Sequence, residues 1–133
     1  MVLVDANVLL DVLTDDPVSR AWSERQLLDA GETDSLAINP LIYAELAPAY
    51  RTLAELERVL RGWPLERLTL PYDAGFLAGH AFVRYRREGG QRRSPLPDFY
   101  IGAHAQIAGL TLLTRDASRY RSYFPKLRLI FPE

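Results

Sequence analysis

The sequence predicts an α/β fold in which a mostly parallel sheet of about five short strands carries helices on both faces. The apolar runs at residues 2–4 and 110–113 are short and uninterrupted, as expected for strands that helices cover on both sides. Segments with helical periodicity and capping residues separate these strand-like runs. This alternation favours parallel neighbours, because parallel strands need a long crossover connection.

The first third of the chain predicts one strand and two helices. Residues 2–4 form the strand, and residues 7–13 form a short helix that the turn-forming segment 15–17 closes. A second helix should end at Gly31. Its predicted inward face consists of Val18, Ala21, Trp22 and Leu28.

Capping residues mark the helices of the middle third. Asn39 followed by Pro40 is typical of an N-cap and a first helical position, and Pro48 should end or kink that helix. The segment 52–55 is a capping box that opens another helix. The other predictions for this region are strands over 35–38 and 68–70 and inward side chains at Leu53, Leu56 and Leu60.

Glycines mark the ends of the helices in the last third. Asp73 should cap a helix that stops at 89–90, and a helix that opens at Asp98 should run to Gly109. Gly102 lies about one turn after Asp98 on the same helix face, where it is expected to leave room for a ligand. Strands over 110–113 and 127–131 complete the predicted sheet.

The composition favours one globular domain in the cytoplasm. The chain has 133 residues, enough for a single domain over 1–133 with its own core. It contains no cysteine, which excludes a disulfide framework and a thiolate metal site. No apolar run approaches the roughly 20 residues of a membrane span, and the strand-like start at Met1 predicts that there is no signal peptide. We therefore expect a cytoplasmic protein without a membrane partner.

The net charge of −1 conceals an asymmetry along the chain. Residues 1–34 carry eight acidic residues against two arginines, which leaves −6. Residues 84–128 carry ten basic residues against three acidic ones, which leaves +7. The acidic part could hold cations and the basic part a polyanion, although both could also be ordinary solvated surface.

Four acidic residues stand in surroundings that are apolar or structurally awkward for a charge. Because the carboxyl ends of parallel strands meet at one edge of a sheet, acids that follow strands can converge there. Buried carboxylates need partners, and a hard cation such as Mg²⁺ binds several at once. The pattern predicts a divalent metal site of the kind that hydrolyses phosphodiesters. The four are Asp5 and Asp116, each after a predicted strand, and Glu45 and Asp98, each in a predicted helix.

Each of these acids also has a purely structural explanation. Asp5 and Asp98 could be helix N-caps, which is a common role for aspartate. Glu45 could pair with Arg51, and Asp116 could be a turn residue. The chemistry needs no histidine, and the two histidines are expected in the core or on the surface, at His80 and His104.

Arginines flank the acids and could contact a nucleic-acid backbone. Most of them surround the glycine pair at 89–90, shortly before Asp98. An exposed charged surface without a ligand remains the alternative. The candidates are Arg84, Arg86, Arg87, Arg92, Arg93 and Arg115.

Four segments of this sequence together resemble the PIN-domain family, specifically the VapC-type toxins of type II toxin–antitoxin systems. They are VLVDANVLL at 2–10, NPLIYAEL at 39–46, LPDFYIGAHA at 96–105 and LLTRD at 112–116. They follow the family's order over nearly the whole chain. Any one segment is a weak signal, whereas the set with this spacing is specific.

The resemblance implies a three-layer PIN-like fold and Mg²⁺- or Mn²⁺-dependent endoribonuclease activity. It also implies a homodimer and a cognate VapB-type antitoxin whose C-terminal segment lies across the active-site groove. Ala6 departs mildly from the family, which more often has a small hydroxyl residue there. The residues implied to bind metal and catalyse are Asp5, Glu45, Asp98 and Asp116, and those implied to support them are Asn7 and Thr114.

Two other classes of protein remain open at this point. A PIN-like domain could bind or process RNA outside a toxin–antitoxin pair, although a protein that has lost cleavage usually lacks one of the acids. An aspartate-based phosphatase or receiver domain also places aspartates after strands, but it needs a lysine near the phosphoryl group. The only lysine here is Lys126, which lies beyond the last of the four acids.

Overall fold

The computed structural model describes residues 1–91 and 96–133. These residues form a five-stranded sheet in which each neighbouring pair of strands is parallel, which confirms the predicted fold class. In chain order the strands are β1 (Val2–Val4), β2 (Leu36–Ile38), β3 (Leu65–Arg67), β4 (Thr111–Leu113) and β5 (Leu129–Ile130).

Helices connect the strands, and a short 3₁₀ helix at Ala47–Ala49 follows the third α-helix. None of the helices in the described ranges is long and apolar enough to cross a membrane. In chain order the α-helices are α1 (Ala6–Leu13), α2 (Arg20–Thr33), α3 (Pro40–Leu46), α4 (Leu53–Leu60), α5 (Tyr72–Arg87), α6 (Pro97–Ala108) and α7 (Ser118–Tyr123).

The central strands are covered on both faces. The strand order is β3-β2-β1-β4-β5, and every residue of β1 and β2 is buried. Because successive side chains of a strand point to opposite faces, both faces of the sheet must be packed at these strands. The edge strand β3 differs, since Glu66 and Arg67 are exposed. Helices on two sides of a parallel sheet give the three layers that were predicted.

The strand order reverses at β1. The chain adds β2 and β3 on one side of β1 and then places β4 and β5 on the other side. The carboxyl ends of β1 and β4 are therefore neighbours at the position where doubly wound sheets bind ligands. Asp5 directly follows β1, and Thr114 directly follows β4.

The helix caps predicted at Asn39 and Thr52 are present, whereas the cap predicted at Asp73 is wrong, because α5 begins at Tyr72 with Pro71 as its N-cap. The Asn39 side chain accepts a hydrogen bond from the Ile42 amide at 2.9 Å, at the start of α3. The Thr52 hydroxyl accepts from the Glu55 amide at 3.2 Å, at the start of α4. The Glu55 carboxylate reaches back to the Arg51 amide at 3.1 Å, one residue before the amide that a capping box would use.

The third strand lies at Leu65–Arg67, so the predicted strand over 68–70 is wrong by three residues. Leu65 pairs with Leu36, and the Leu68 amide donates the last hydrogen bond to the Ile38 carbonyl at 2.9 Å. The error has a physical reason. An edge strand needs no continuous apolar run, so the strand itself gave no clear signal. The prediction was based instead on the apolar residues that follow the strand.

The buried face of α2 also differs from the prediction. Val18 is 88% exposed and Leu28 is 58% exposed. The Ser23 hydroxyl donates to the buried carboxylate of Asp11 at 2.6 Å, which turns the polar Ser23 side of the helix inward. Hydrophobic periodicity cannot report such a polar tertiary contact. The residues of α2 that are buried are Ser23, Leu27 and Ala30.

Smaller differences concern helix ends and one helix that was not predicted. Helix α2 continues through Gly31, and Leu53 at the start of α4 is 72% exposed instead of inward. Helix α7 has the polar sequence SRYRSY, in which Tyr120 is the one buried residue. A single buried position in six residues gives no helical periodicity to detect.

The space above Gly102 is filled by aromatic rings and not by a ligand cavity, contrary to the sequence-based expectation. A Cβ atom at this glycine would lie 2.6 Å from the Phe124 ring and 3.1 Å from the Tyr120 ring. Both rings are buried, with exposed fractions of 1% each. The glycine is therefore needed for the close packing of α6 against α7 and its C-cap residue.

We expect Gly102→Ala to lower the free energy of unfolding by about 1–3 kcal/mol, because the added methyl group overpacks a rigid aromatic contact. Gly79→Ala in α5 is the matched control. Outside that helix's own backbone, no described atom lies within 4 Å of its added Cβ. The control should raise the free energy of unfolding by up to about 1 kcal/mol, through helix propensity. Urea denaturation measures both, and equal effects of the two substitutions would contradict the packing role of Gly102.

Candidate active site

Asp5 is buried at the junction of β1 and α1, with 4% of its surface exposed. Its Oδ1 atom accepts a hydrogen bond from the Ala6 amide at 2.8 Å. Its Oδ2 atom accepts from the Thr114 hydroxyl and the Tyr120 hydroxyl, each at 2.9 Å. Burial raises the pKa of Asp5, the negative charge of Asp98 raises it further, and the hydrogen bonds oppose the shift. The side chain is thus a buried carboxyl group that three donors hold in place.

Thr114 and Asn7 connect this carboxyl group to the loop after β4. The Asn7 amide group donates to the Thr114 hydroxyl oxygen at 3.3 Å, and the Arg115 backbone amide donates to Asn7 Oδ1 at 3.0 Å. The Thr114 side chain is fully buried. The structure therefore places Thr114 against Asp5 and Asn7 against Thr114.

Asp98 lies in the first turn of α6 and faces α7. Its Oδ1 atom is 3.4 Å from the Tyr120 hydroxyl, and its Oδ2 atom forms an ion pair with Arg119 Nη1 at 3.1 Å. The Arg119 guanidinium also lies 5.9 Å from the ring centres of both Tyr85 and Phe99. Asp98 is therefore joined to Asp5 through one hydroxyl group and is partly neutralised by an arginine of the same chain.

Glu45 has a buried carboxylate oxygen without a hydrogen-bond partner. The atom is Oε1, and Arg51 forms no ion pair with this side chain in the part of the chain that the structure describes. Burial raises the pKa of Glu45 to about 7, and the negative charges of Asp5 and Asp98 contribute to the shift. Glu45 thus shares an electrostatic environment with the other two acids, although it comes from a different helix.

The carboxylate of Asp116 is turned toward the start of α7. Its Oδ1 atom accepts hydrogen bonds from the Ser118 amide at 3.3 Å and the Ser118 hydroxyl at 3.0 Å. Its backbone amide donates to the Thr114 hydroxyl oxygen at 3.2 Å. Within residues 1–91 and 96–133, no three His, Asp or Glu side chains converge closely enough to hold one ion as they stand.

Arg115 is occupied by a structural ion pair. Its Nε atom lies 2.7 Å from Asp11 Oδ2, and its Nη2 atom lies 3.1 Å from Asp11 Oδ1. Asp11 is 3% exposed and also accepts the hydroxyl hydrogen bond of Ser23. A fork-shaped pair of this type fixes the loop after β4 on α1 and leaves less of the guanidinium group for a nucleic acid.

The other candidate arginines lie in or after the last turn of α5. Arg84 donates to the Ser122 carbonyl at 3.2 Å and lies over the Tyr123 ring at 5.1 Å. Arg86 and Arg87 are exposed. Arg92 and Arg93 lie outside the described residues.

One histidine is in the core and the other is on the surface, as expected. His104 is 2% exposed, and its Nδ1 atom lies 3.0 Å from the side-chain nitrogen of Asn39. Since an amide nitrogen only donates, His104 Nδ1 accepts and the ring is neutral. Burial lowers the pKa of His104, in agreement with this form. His80 is exposed and lies against the Phe76 ring.

Two residues that contact the acids were not found from the sequence. Both lie in α7: Tyr120 bonds to Asp5, and Arg119 bonds to Asp98. Burial and the charges of Asp5 and Asp98 raise the pKa of Tyr120 well above its usual range. The one available signal was an isolated aromatic residue between arginines, four residues after Asp116. That signal does not distinguish a site residue from an ordinary core residue.

The fold and the site define a class of protein, namely a parallel α/β protein with a buried aspartate and further acids at the carboxyl edge of its central strands. The PIN domain family model matches residues 2–124, and the chain belongs to this family. The family assignment gives no support to the phosphatase or receiver-domain alternative. No curated protein sequence matches the chain significantly.

The chain is also similar to solved structures over nearly its whole length. The VapBC2 complex of Rickettsia felis bound to a promoter DNA fragment matches with a TM-score of 0.74 and 18% identity, covering 100% of each chain. DNA-bound VapBC of Salmonella typhimurium matches with 0.71 and 21%, covering 98% of this chain and 96% of that one. VapBC-1 of nontypeable Haemophilus influenzae matches with 0.71 and 15%, covering 98% of each. At these identities the likeness concerns the fold.

We expect the stability of the metal-free protein to fall as the pH rises from about 5 to about 7. The folded state keeps the Glu45 proton until the pH reaches about 7, whereas the unfolded chain loses it near the ordinary pKa of 4.5. The contribution of the Glu45 proton to the free energy of unfolding is therefore fully present below pH 4.5 and is lost as the pH rises through about 7. Glu45→Gln removes this titration and should give a flatter profile. Urea denaturation in a chelator at several pH values measures the effect, and identical profiles for the two proteins would contradict it.

Proposed function

We propose that this protein is a Mg²⁺- or Mn²⁺-dependent endoribonuclease, organised as one nuclease domain over 1–133. The observation that carries the proposal is the Glu45 Oε1 atom, which is buried without a partner in the negative field of Asp5 and Asp98. Carboxyl groups held in this way destabilise one another unless a cation joins them. Membership of the PIN domain family supports the same conclusion.

The oxygen atoms of the site suit a hard divalent cation. Mg²⁺ and Mn²⁺ prefer carboxylate oxygens and retained waters, and the residues proposed to hold the ion all supply carboxylates. Asp5 accepts three hydrogen bonds, so its carboxylate retains acceptor capacity beyond them. A bound ion supplies an activated water and stabilises the leaving oxygen of a phosphodiester. The proposed ligands are Asp5, Glu45, Asp98 and Asp116, and their side chains would have to turn toward a common ion, because they do not converge as they stand in the described residues.

The protein's own residues prepare this chemistry in distinct ways. Thr114 and the Ala6 amide hold Asp5 in one orientation at the end of β1. Arg119 neutralises Asp98 and would have to release it when a cation approaches. Glu45 favours its protonated form below pH 7, so cation binding near neutral pH should displace protons from the site.

RNA is the proposed substrate, and exposed arginines are the proposed contacts to its backbone. Arg86 and Arg87 lie exposed in the last turn of α5, and Arg92 and Arg93 follow five to seven positions later in the sequence. Arginine binds phosphate through a planar fork of donors and adds affinity that depends on salt. The role of these residues is to hold the strand, not to select its sequence.

The biological role that we propose is the toxin of a VapBC-type pair in the cytoplasm. The solved structures of similar fold include toxin–antitoxin complexes, which supports a cognate VapB-type antitoxin. We propose the homodimer from the sequence resemblance alone. Val18 and Leu28 are exposed and Trp22 is partly buried, so this part of the chain offers apolar side chains that such a peptide could cover. A basic residue of the peptide could pair with Asp98. A PIN domain that processes RNA outside such a pair remains the alternative.

We expect Asp98→Asn to lower RNA cleavage at least about 100-fold without unfolding the protein, because it removes a ligand charge and preserves volume. Asp73→Asn is the matched control, since Asp73 is also an aspartate in the first turn of a helix and is exposed. The control should cleave at the wild-type rate. EDTA should stop the wild-type reaction, and added Mg²⁺ or Mn²⁺ should restore it. Full activity in EDTA would rule out the metal-dependent mechanism.

We expect the protein to co-purify with the product of a neighbouring short gene when the native operon is expressed. The complex should cleave RNA at least about tenfold more slowly than the isolated chain, because the peptide occupies the carboxylates through charge-assisted contacts. Affinity purification followed by a cleavage assay measures this. A chain that elutes alone with full activity would contradict the toxin role but not the nuclease activity.

A further inference from the structure

Tyr120 lies between the two carboxyl groups that the proposed function requires. Its hydroxyl group is 2.9 Å from Asp5 Oδ2 and 3.4 Å from Asp98 Oδ1. The two acids come from distant parts of the chain, one after β1 and the other in α6. A single side chain of α7 therefore contacts both.

The Tyr120 ring is held rigidly. Tyr120 is 1% exposed, and its ring packs above Gly102. A larger residue at position 102 would not fit without displacing the neighbouring rings. Phe124 fills the adjoining space on the same glycine. Because the ring cannot move freely, the position of its hydroxyl group is determined by the packing of α7 on α6.

A tyrosine hydroxyl suits the space between two carboxyl groups. It carries one proton at neutral pH and can donate it to one carboxylate, while remaining neutral itself. The Tyr120 hydroxyl donates this proton to the nearer carboxylate, that of Asp5. The Asp98 carboxylate lies close to the same hydroxyl oxygen, at the longer distance. Of the two hydrogen bonds to Asp5 Oδ2, only the one from Thr114 would remain without this hydroxyl.

We propose that Tyr120 is a positioning residue, whose hydroxyl group orients the Asp5 carboxylate next to Asp98 for the divalent cation that these acids would share. The inference rests on the proposed metal-dependent function and adds a residue to its site. Tyr120 acts through the carboxyl groups and contacts neither metal nor RNA. Its role resides in one oxygen atom, which separates it from the packing role of the ring.

The test compares Tyr120→Phe with Tyr123→Phe. Both remove one hydroxyl group from α7 and preserve the ring. The Tyr123 hydroxyl donates to the exposed Glu88 carboxylate at 2.7 Å, away from the acids, so this variant is the matched control. The readouts are the Kd for Mn²⁺ alone, measured by electron paramagnetic resonance, and kcat and KM for RNA cleavage. Thermal unfolding in EDTA monitors the fold.

We expect Tyr120→Phe to weaken Mn²⁺ binding about 10-fold to 100-fold, as for other residues that orient metal ligands. Its kcat should fall while KM for RNA changes little, because the hydroxyl acts on the carboxyl groups and not on the substrate. Tyr123→Phe should keep the wild-type Kd and kcat. In EDTA, Tyr123→Phe should unfold near the wild-type temperature, and Tyr120→Phe should unfold a few degrees lower, because the buried Asp5 carboxylate loses one donor.

A Tyr120→Phe protein with the wild-type Kd for Mn²⁺ would overturn the positioning role, even if the wild-type protein cleaves RNA. Weaker Mn²⁺ binding by this variant alone would support the role, even if no RNA is cleaved, and the cleavage result would then count against the proposed function. A wild-type protein that binds no Mn²⁺ would overturn both.

Discussion

The carboxyl group of Asp5 lies at the end of the central strand, where almost no water reaches it. A carboxylate in such a place is costly unless donors or cations surround it. The donors come from three parts of the chain: the start of α1, the end of β4 through Thr114, and α7 through Tyr120. The arrangement of these elements can thus be understood as the means by which one buried acid is satisfied.

The same constraint explains why α6 and α7 pack so closely. Tyr120 reaches Asp5 only because its ring rests on Gly102, where a side chain would collide with it and with Phe124. Helix α6 then presents Asp98 to the same hydroxyl group and to Arg119. The packing at Gly102 is therefore coupled to the electrostatics at Asp5 and Asp98, and a change in either should alter the other.

The predictions that succeeded concern local signals, and those that failed concern tertiary contacts. The apolar runs and caps identified the parallel sheet and the start of α3 at Asn39. The inward face of α2 was wrong, because the Ser23 hydroxyl bonds to buried Asp11. The third strand was misplaced, because an exposed edge strand lacks an apolar run. Helix α7 was missed, because six residues with one buried position have no period.

The sequence by itself determined the fold class, the family and the identity of the candidate acids, because strand ends, helix caps and motif spacing are local properties of the chain. Only the tertiary structure decided which groups meet these acids. It joined Asp5 and Asp98 through Tyr120, paired Asp98 with Arg119 and left an oxygen of Glu45 without a partner. Burial and hydrogen bonding depend on residues that are distant in sequence. The spacing of residues along the chain does not reveal how far apart such residues lie in the folded protein.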